Sequence, residues 1–472
     1  MTNEFSDADK RIELIKNNPK DAILKLSWPM MLVMLLMVGY NIVDTIWVAG
    51  LGVNALAALG FITPLYMVIV GLGQGMGAGT TSFIARCIGE EDRNKASNGG
   101  IHGILIIVFT SIILPIFLIF FLKDILILMG ASEVLNISMQ YGIIVFLGSF
   151  AILFSLLGSS ILRAEGDMKR VTYAMILTSI LNIILDPIFI YVLNMGISGA
   201  AIATIISSFV SAIIIFYWIL KKQDTYLKLN FKDFKFNSDI IKDILNVSLP
   251  ASLEEFTLAL SAIGTNTILS FVAGASAVAV YTVGWKIVTL GIIPAIGLEM
   301  ATLTVAGMAY GARNWKNLEI IFNYATQIGV FLGVILAIIT FIFAPQIAAM
   351  FTYSTGAEEI ITNLISFIRI MSLFFIAIPL GLVSTAIFQA AGKGITSLIL
   401  NFIRDIGLTL FTSFILAIVF NFGEFGVYWG IVLGVIFGSI INYLYFKFFL
   451  GKLKNRNNIF NNKNSKEDIL PK

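Results

Sequence analysis

Apolar stretches of about 20 residues recur from residue 22 to residue 450, and short polar or glycine-containing turns separate them. Each stretch is long enough for an α-helix to cross a hydrocarbon core of about 30 Å. A soluble domain cannot bury this many full-length helices that lack a polar face. The pattern therefore predicts an all-α polytopic membrane protein. We place about twelve transmembrane helices at 22–48, 55–84, 97–121, 138–162, 171–193, 199–220, 245–273, 277–309, 318–351, 360–388, 395–420 and 427–450.

The composition excludes an ordinary soluble protein, because 58% of the residues are hydrophobic and only 12% are charged. Soluble domains carry about 25% charged residues. Residues 1–20 are polar and mixed in charge, so we expect no cleavable signal peptide there. The segment after residue 450 is also polar, and we expect a solvated, disordered tail.

Lysine and arginine concentrate in alternate turns, while the turns between them, such as 49–54 and 194–198, carry no charge. Because positive charge favours the cytoplasmic side, we expect a multi-pass protein of the cell membrane with both termini in the cytoplasm. The net charge of +3 reflects these turns, so we expect no nucleic-acid partner. The basic turns contain Arg86, Arg93 and Lys95, then Arg163, Lys169 and Arg170, then six lysines between 221 and 242, and finally Arg313 and Lys316.

The chain also repeats itself at an offset of about 221 to 227 residues. Each half holds six predicted helices, so both halves enter the membrane from the same side and form parallel lobes that suit alternating access. The repeated landmarks are SWP (27–29) with SLP (248–250), VAG (48–50) with VAG (272–274), and NMGISG (194–199) with NFGEFG (421–426). We divide the chain into a cytoplasmic N-terminal segment (1–20), a first lobe (21–220), a cytoplasmic linker (221–243), a second lobe (244–450) and a cytoplasmic tail (451–472).

Two carboxylates, Asp44 and Asp186, lie inside apolar stretches of the first half. An Asp near the middle of a membrane helix costs roughly 2.5–3.5 kcal/mol, so it normally faces a cavity or a partner. Counted from the nearest outer turn, Asp44, Asp186 and Thr204 lie about 8–12 Å below the outer interface. Asn182 projects from the same helix face as Asp186, four residues later. We predict that these four residues form one site.

Two carboxylates, an amide oxygen and a hydroxyl are hard ligands that suit a small cation such as Na⁺. Burial and a like-charged neighbour also favour a protonated carboxyl, so the same site can instead hold H⁺. The sequence leaves this choice open. A simpler interpretation is that Asn182 and Thr204 only join neighbouring helices by hydrogen bonds. We expect no cofactor other than the coupling ion, and no metal beyond Na⁺.

At these residues the chain resembles the multidrug and toxic compound extrusion (MATE) family, particularly its DinF-like and archaeal members. The matching motifs are SWPMML, NIVDTIWVAGLG, RAEGDMKR, LNIILDP and GISGAAIAT. The resemblance covers nearly the whole chain and implies cation-coupled export of structurally varied, often cationic or amphipathic compounds. It also implies a cation or proton site at Asp44, Asn182, Asp186 and Thr204, and a drug cavity that Tyr40 and Met175 line.

The second half departs from the first, because Thr265 occupies roughly the place of Asp44. It carries other charged residues within or near apolar spans, among them Glu255, Lys286 and Asp405. Charges inside a membrane must pair or meet water. One interpretation is a salt-bridge cluster that fixes the lobe. The other is a second coupling site that involves Glu255.

Proline removes a backbone hydrogen bond and commonly kinks a helix, and we expect such kinks at Pro29 and Pro187. Each kink is either a moving part or a fixed bend. The stretch GLGQGMGAGTT (71–81) lacks the GKS or GKT ending of a phosphate loop, so it favours close helix packing. We expect Cys87 to be a packing residue, and His102 has no obvious partner for a coupling role.

These features predict a secondary antiporter, not an enzyme, that exports small drug-like molecules or metabolites in exchange for Na⁺ or H⁺. We expect a monomer in contact with membrane lipid, and no direct use of ATP because no Walker sequence is present. The nearest alternative is a flippase or exporter of lipid-linked oligosaccharide or polysaccharide. Those proteins usually add two helices or a strongly basic cavity. An intramembrane enzyme or receptor is the remote alternative, because we find neither a histidine cluster nor a nucleophile–base pair.

Overall fold

The computed structural model describes residues 6–222, 224–351 and 358–467, and this part of the chain is almost entirely helical. Short π-helical or 3₁₀ turns extend several of the α-helices. In chain order the helices are α1 (Asp7–Asn17), α2 (Pro19–Ala49), α3 (Val53–Gly89), α4 (Arg93–Leu128), α5 (Leu135–Leu147), α6 (Ser149–Ala164), α7 (Met168–Pro187), α8 (Ile197–Tyr217), α9 (Ser238–Gly311), α10 (Trp315–Ile342), α11 (Ala344–Phe351), α12 (Glu358–Met371), α13 (Phe374–Ala390), α14 (Gly394–Phe402), α15 (Thr409–Phe414) and α16 (Gly423–Glu467).

Twelve membrane crossings can be traced along the described chain. Helix α9 is 74 residues long but breaks at Gly274, where φ is 74°, so it crosses twice as a first arm (238–273) and a second arm (275–311). Helices α5 and α6 form one crossing bent by 44°, and α12 and α13 form another bent by 48°. Every predicted span thus has its helix, and the prediction of an all-α polytopic protein is confirmed.

The internal repeat also appears in the backbone of the turns. Positive φ angles, which glycine adopts freely and most other residues do not, recur at equivalent positions of the two halves. The next helices begin alike, because Asp92 accepts the N–H of Lys95 at 2.8 Å and Asn314 accepts that of Asn317 at 2.9 Å. The two halves therefore share one turn geometry. The pairs of positive φ are Gly52 and Gly274, Glu91 and Arg313, Gly166 and Gly392, Asn194 and Asn421, and Gly196 and Gly423.

The two lobes meet at one end of the bundle. We call this end the basic face; it carries the turns 90–92, 165–167, 312–314 and 391–393, and the opposite end is the far face. Helix α3 approaches α9 so closely there that a Cβ on Gly79 would clash with Ser248, and one on Gly89 with the Met308 carbonyl. The predicted packing role of the glycine-rich stretch is thus confirmed.

Toward the far face the lobes separate. Gly39 of α2 and Gly60 of α3 have nothing within 4 Å of a Cβ built on them. Gly71, one turn above the tight contacts, still touches Glu255 of α9, and Glu255 itself is exposed. A cleft therefore opens between the lobes toward the far face, and Glu255 lies near its floor.

Helix α1 lies across the basic face. It belongs to the polar N-terminal segment 1–20, for which the sequence predicted no helix. Arg11 pairs with Asp167 of the first lobe at 3.0 Å, and Lys16 pairs with Glu91 at 3.0 Å. Asn317 of the second lobe donates to the Lys16 carbonyl at 3.0 Å. Helix α1 thus contacts both lobes.

The C-terminal segment differs from the expectation of a disordered tail. Helix α16 continues without a break to Glu467, well past the apolar stretch that ends at residue 450. Helical hydrogen bonds persist because the chain leaves the last span without a proline or glycine stop after Gly451. Residues 468–472 lie outside the described part.

The linker between the lobes is docked against the first lobe. The Leu227 N–H donates to the Glu165 carboxylate at 3.0 Å, and Arg93 donates to the Tyr226 carbonyl at 2.6 Å. Farther along, the Asn237 N–H donates to Nε2 of His102 at 2.9 Å. His102, for which the sequence offered no partner, therefore holds the linker in place.

Glu165 is buried beneath the linker, and its second oxygen, Oε1, has no hydrogen-bond partner. Burial raises the pKa of the Glu165 carboxyl to about 7, and the Leu227 N–H only partly offsets this effect. The native state therefore holds a proton that the unfolded chain releases between roughly pH 4.5 and pH 7.

Replacing Gly311 tests the tight contact at the basic face. A Cβ at Gly311 would clash with the Arg86 carbonyl across the lobe boundary, so we expect Gly311→Ala to disfavour the closed arrangement by about 1–3 kcal/mol. Spin labels at the exposed positions Lys169 and Lys316, in a Cys87→Ser background, should report a longer distance. Gly60→Ala, in open space, is the matched control; equal distances in both variants would contradict the assigned contact.

Glu165→Gln tests the buried carboxyl. Because the native pKa is raised, the wild type loses stability as the pH rises from about 4.5 to about 7, and its stability is level above that range. The amide keeps an acceptor for Leu227 but cannot ionise, so the melting temperature of the variant should depend less on pH. Glu133→Gln, at an exposed carboxyl, should behave as the wild type; an unchanged slope in Glu165→Gln would contradict the burial argument.

Candidate cation site

Three helices of the first lobe bring the four predicted residues together. Asp44 lies on the last turns of α2 before the far face, and Thr204 lies on the second turn of α8. Asn182 and Asp186 project from one face of α7. Directly after them, at Pro187, the α-helix gives way to a π-helical turn, whereas α2 remains one α-helix through Pro29.

The side chains form one connected group. Nδ2 of Asn182 donates to Oδ1 of Asp186 at 3.3 Å and to the Thr204 hydroxyl at 3.4 Å. The carboxyl groups of Asp44 and Asp186 lie within hydrogen-bonding distance of each other. Two bare carboxylates would repel at that distance, so the contact requires a shared proton or a cation.

Three buried oxygens of this group have no hydrogen-bond partner: Oδ1 of Asp44, Oδ1 of Asn182 and Oδ2 of Asp186. Leaving a buried acceptor unsatisfied costs about 1–3 kcal/mol, and more for a charged group. Carboxylate and amide oxygens are the donors that hard cations prefer. The group therefore combines unpartnered oxygens with the donor atoms that suit a small cation. Its role as an ion site stays a prediction.

Tyrosines surround the acids, and sequence reasoning found only one of them. Tyr40 of α2 and Tyr66 of α3 lie close enough to interact electrostatically. Tyr141 of α5 lies close enough to both acids to interact with them electrostatically. The sequence offers only one indication that Tyr66 and Tyr141 belong near the acids, which is that each places a hydroxyl group within an apolar span. Met175 is half-buried on α7, two turns from Asn182, and packs against the hydrophobic core of the first lobe.

In the second lobe, Glu255, Lys286 and Asp405 do not form the predicted cluster, and no ion pair joins them within the described residues. Arg404 holds the Asp405 carboxylate by two bonds, from Nε at 2.7 Å and Nη2 at 2.9 Å. Lys286 is exposed on the second arm of α9, whereas Glu255 is exposed on the first. Asp405 is thus neutralised by its neighbour and needs neither of the other two.

A different polar group forms around Glu254. The Ser397 hydroxyl donates to Oε1 at 2.7 Å, and Nε2 of Gln389 donates to Oε2 at 3.2 Å. Glu299 and Arg404 are near enough to interact electrostatically with Glu254. Both oxygens of Glu254 are therefore satisfied by side chains of α13 and α14, in contrast to the acids of the first lobe.

The MatE family profile matches residues 29–188 and matches a second time at residues 250–422. The chain belongs to the MatE family. The two matches begin at Pro29 and Pro250, which are the prolines of the repeated SWP and SLP landmarks. The family assignment thus confirms both the resemblance and the internal duplication.

Two curated MatE relatives match almost end to end. The probable multidrug resistance protein NorM of Thermotoga maritima is 27% identical over 451 residues, covering 92% of this chain and 96% of the relative. The multidrug export protein MepA of Staphylococcus aureus strain N315 is 26% identical over 437 residues, covering 90% and 93%.

Solved MATE structures show the same fold. A crystal structure of MATE in complex with MaL6 is 38% identical, with a TM-score of 0.91 over 94% of this chain and 99% of that one. An outward-facing multidrug resistance MATE family transporter of the MOP superfamily is 37% identical, with the same TM-score and coverage. The chain is therefore a membrane transporter of the MatE type.

The paired acids predict competition between Na⁺ and H⁺. If Na⁺ takes the unpartnered oxygens, the proton shared by Asp44 and Asp186 must leave. Adding NaCl to the purified protein in weakly buffered solution should therefore release protons to a pH-indicating dye, whereas choline chloride should not. Asp44→Asn and Asp186→Asn should each abolish the release. Asp124→Asn, at an exposed acid of α4, should preserve it; release from all three variants would place the exchange elsewhere.

Proposed function

We propose that this MatE transporter exports small drug-like molecules from the cell in exchange for Na⁺ or H⁺. The observation that carries the proposal is the Asp44–Asp186 contact with its unpartnered oxygens. Such a site can change its charge by gaining or losing an ion. It lies in one of two lobes whose contact is limited to the opposite end, which is the arrangement that alternating access requires.

The orientation is part of this proposal. Both ends of the described chain and the lysine-rich turns lie at the basic face, and positive charge favours the cytoplasmic side. We therefore assign the basic face to the cytoplasm of a multi-pass cell-membrane protein. The cleft then opens outward, in agreement with the outward-facing conformation of the similar MATE transporter.

Coupling follows from electrostatics. In the outward-open arrangement the half-exposed Asp44 lies near the far face, where an external Na⁺ or H⁺ can reach it. Loading neutralises repulsion between Asp44 and Asp186 and allows α2 and α7 to pack differently. This repacking of the first lobe favours release of the substrate. An ion can shift the balance between two conformations only by binding them unequally.

The substrate class follows from the cleft and from the relatives. Glu255 lies near the cleft floor, which favours a cationic or amphipathic compound over a polyanion. The curated relatives are named as multidrug resistance or export proteins. The acidic floor also disfavours the alternative of an exporter for anionic lipid-linked sugars, which would suit a basic cavity.

Transport in proteoliposomes tests the proposal. We expect efflux of a cationic dye from the wild type when an inward Na⁺ or H⁺ gradient is imposed, each gradient applied separately. Asp44→Asn and Asp186→Asn should reduce the rate to that of protein-free liposomes, because neither variant can complete the charged pair. The two gradients together identify the coupling ion.

The control for this assay is Asp124→Asn, which removes a carboxyl from an exposed position of α4 and should transport as the wild type. Equal amounts of each variant must be recovered in the vesicles. Wild-type rates from either Asp44→Asn or Asp186→Asn would overturn the coupling proposal, even if dye efflux itself persisted.

A further inference from the structure

The docked linker presents an unusual surface at the edge of the basic face. Between residues 228 and 236, Lys228, Lys232 and Lys235 are all exposed. None of the three forms an ion pair with any residue that the structure describes. Two aromatic side chains beside them are also exposed, Phe231 at 54% and Phe236 at 68%. We call these five residues the linker patch.

Contacts with the first lobe fix the position of this patch along the membrane normal. The Phe236 ring lies 5.9 Å from the His102 ring, and the Asn237 N–H is bonded to His102. Leu105, one turn farther along α4, is 40% exposed and Phe109 is 67% exposed, so the lipid-facing surface begins there. Phe236 therefore lies at the boundary between the hydrocarbon core and the polar headgroups.

Other contacts make the patch a preformed surface. Nδ2 of Asn98 donates to the Lys235 carbonyl at 2.9 Å, and Leu229 is buried against Gly100. The single acid in the patch region, Asp233, accepts a hydrogen bond from Asn230 at 2.6 Å. Three lysines against one carboxylate leave the patch region with a net positive charge, and α4 holds the backbone beneath it.

We propose that the linker patch binds anionic phospholipid headgroups, with Phe231 and Phe236 inserted among the acyl chains and the three lysines on the phosphates. Exposed aromatic rings at the interface together with unpaired lysines are the chemistry that an anionic leaflet attracts. The proposal uses the cytoplasmic assignment of the basic face, but it needs no transport activity. A purely solvated loop would explain the lysines but would leave two phenylalanine rings in water.

Native mass spectrometry of the full-length protein can test this surface. The protein is purified from mixed phosphatidylcholine and phosphatidylglycerol, and retained lipid is counted. Each basic residue near an anionic surface strengthens attraction by about fivefold, so Lys228/Lys232/Lys235→Gln should retain at least about fivefold less phosphatidylglycerol. Retention of phosphatidylcholine should not change.

The matched control is Lys10/Lys169/Lys316→Gln, which removes three exposed lysines from the same face but outside the patch. It should retain phosphatidylglycerol as the wild type does. A second variant, Phe231/Phe236→Ser, keeps every charge and should also lose lipid. The melting temperature of each variant in detergent identifies any that fail to fold.

Equal losses in the patch and control triples would reduce the effect to general charge attraction and overturn the proposal. Undiminished lipid in the patch triple would overturn it as well. If the patch triple retained phosphatidylglycerol as the wild type does but bound at least about fivefold less of an added acidic peptide, the patch would be assigned to a protein partner and the lipid proposal would be overturned. None of these outcomes depends on dye efflux, so failure here leaves the transport proposal standing.

Discussion

Two carboxyl groups that share a buried site cannot both stay ionised without a counter-charge, because apolar surroundings strengthen their repulsion. In this protein Asp44 and Asp186 come from different helices, so their repulsion acts directly on the packing of α2 against α7. The energy of one Asp at membrane depth, roughly 2.5–3.5 kcal/mol, is comparable to a large conformational preference. Under the proposed function, the charge state of this one pair sets how the first lobe packs.

In the second lobe, two acids of the apolar spans already have side-chain partners. Asp405 accepts hydrogen bonds from Nε and Nη2 of Arg404, and Glu254 accepts from Ser397 and Gln389. A buried pair that is complete stays in place, since breaking it would leave an uncompensated charge. The two lobes thus share one shape but differ electrostatically: the acids of the first have buried oxygens without partners, whereas Glu254 and Asp405 of the second are bonded to side chains. Asp405 fits the interpretation of a fixed salt bridge, whereas Glu255 forms no ion pair with any described residue, so a coupling role for Glu255 stays a prediction.

The sequence was sufficient for features that depend on length and depth. Span length predicts the helices, and counting from the turns brings Asp44, Asp186 and Thr204 to one level, with Asn182 one helical turn from Asp186 on the same face. The sequence does not predict which side chains of neighbouring elements contact each other. Adjacent residues on an α-helix point in different directions, yet Arg404 and Asp405 pair, and the π-helical turn that carries them leaves no periodic signal. Likewise nothing in a polar linker indicates that Leu227 will cover Glu165, because docking depends on residues more than 60 positions away.

Helix α2 connects the candidate cation site to the closed contact of the lobes. Its backbone at Ser27 and Met31 approaches Gly297 of α9, and Asp44 lies about 20–25 Å farther along the same helix. A straight helix would carry any displacement at Asp44 directly into that contact. Pro29 lies between the two anchoring residues and lacks the N–H that would bond one turn back, so bending there is easier than elsewhere in α2. The helix can therefore yield near the basic face while its outer part, which carries Asp44, moves as one body against α7.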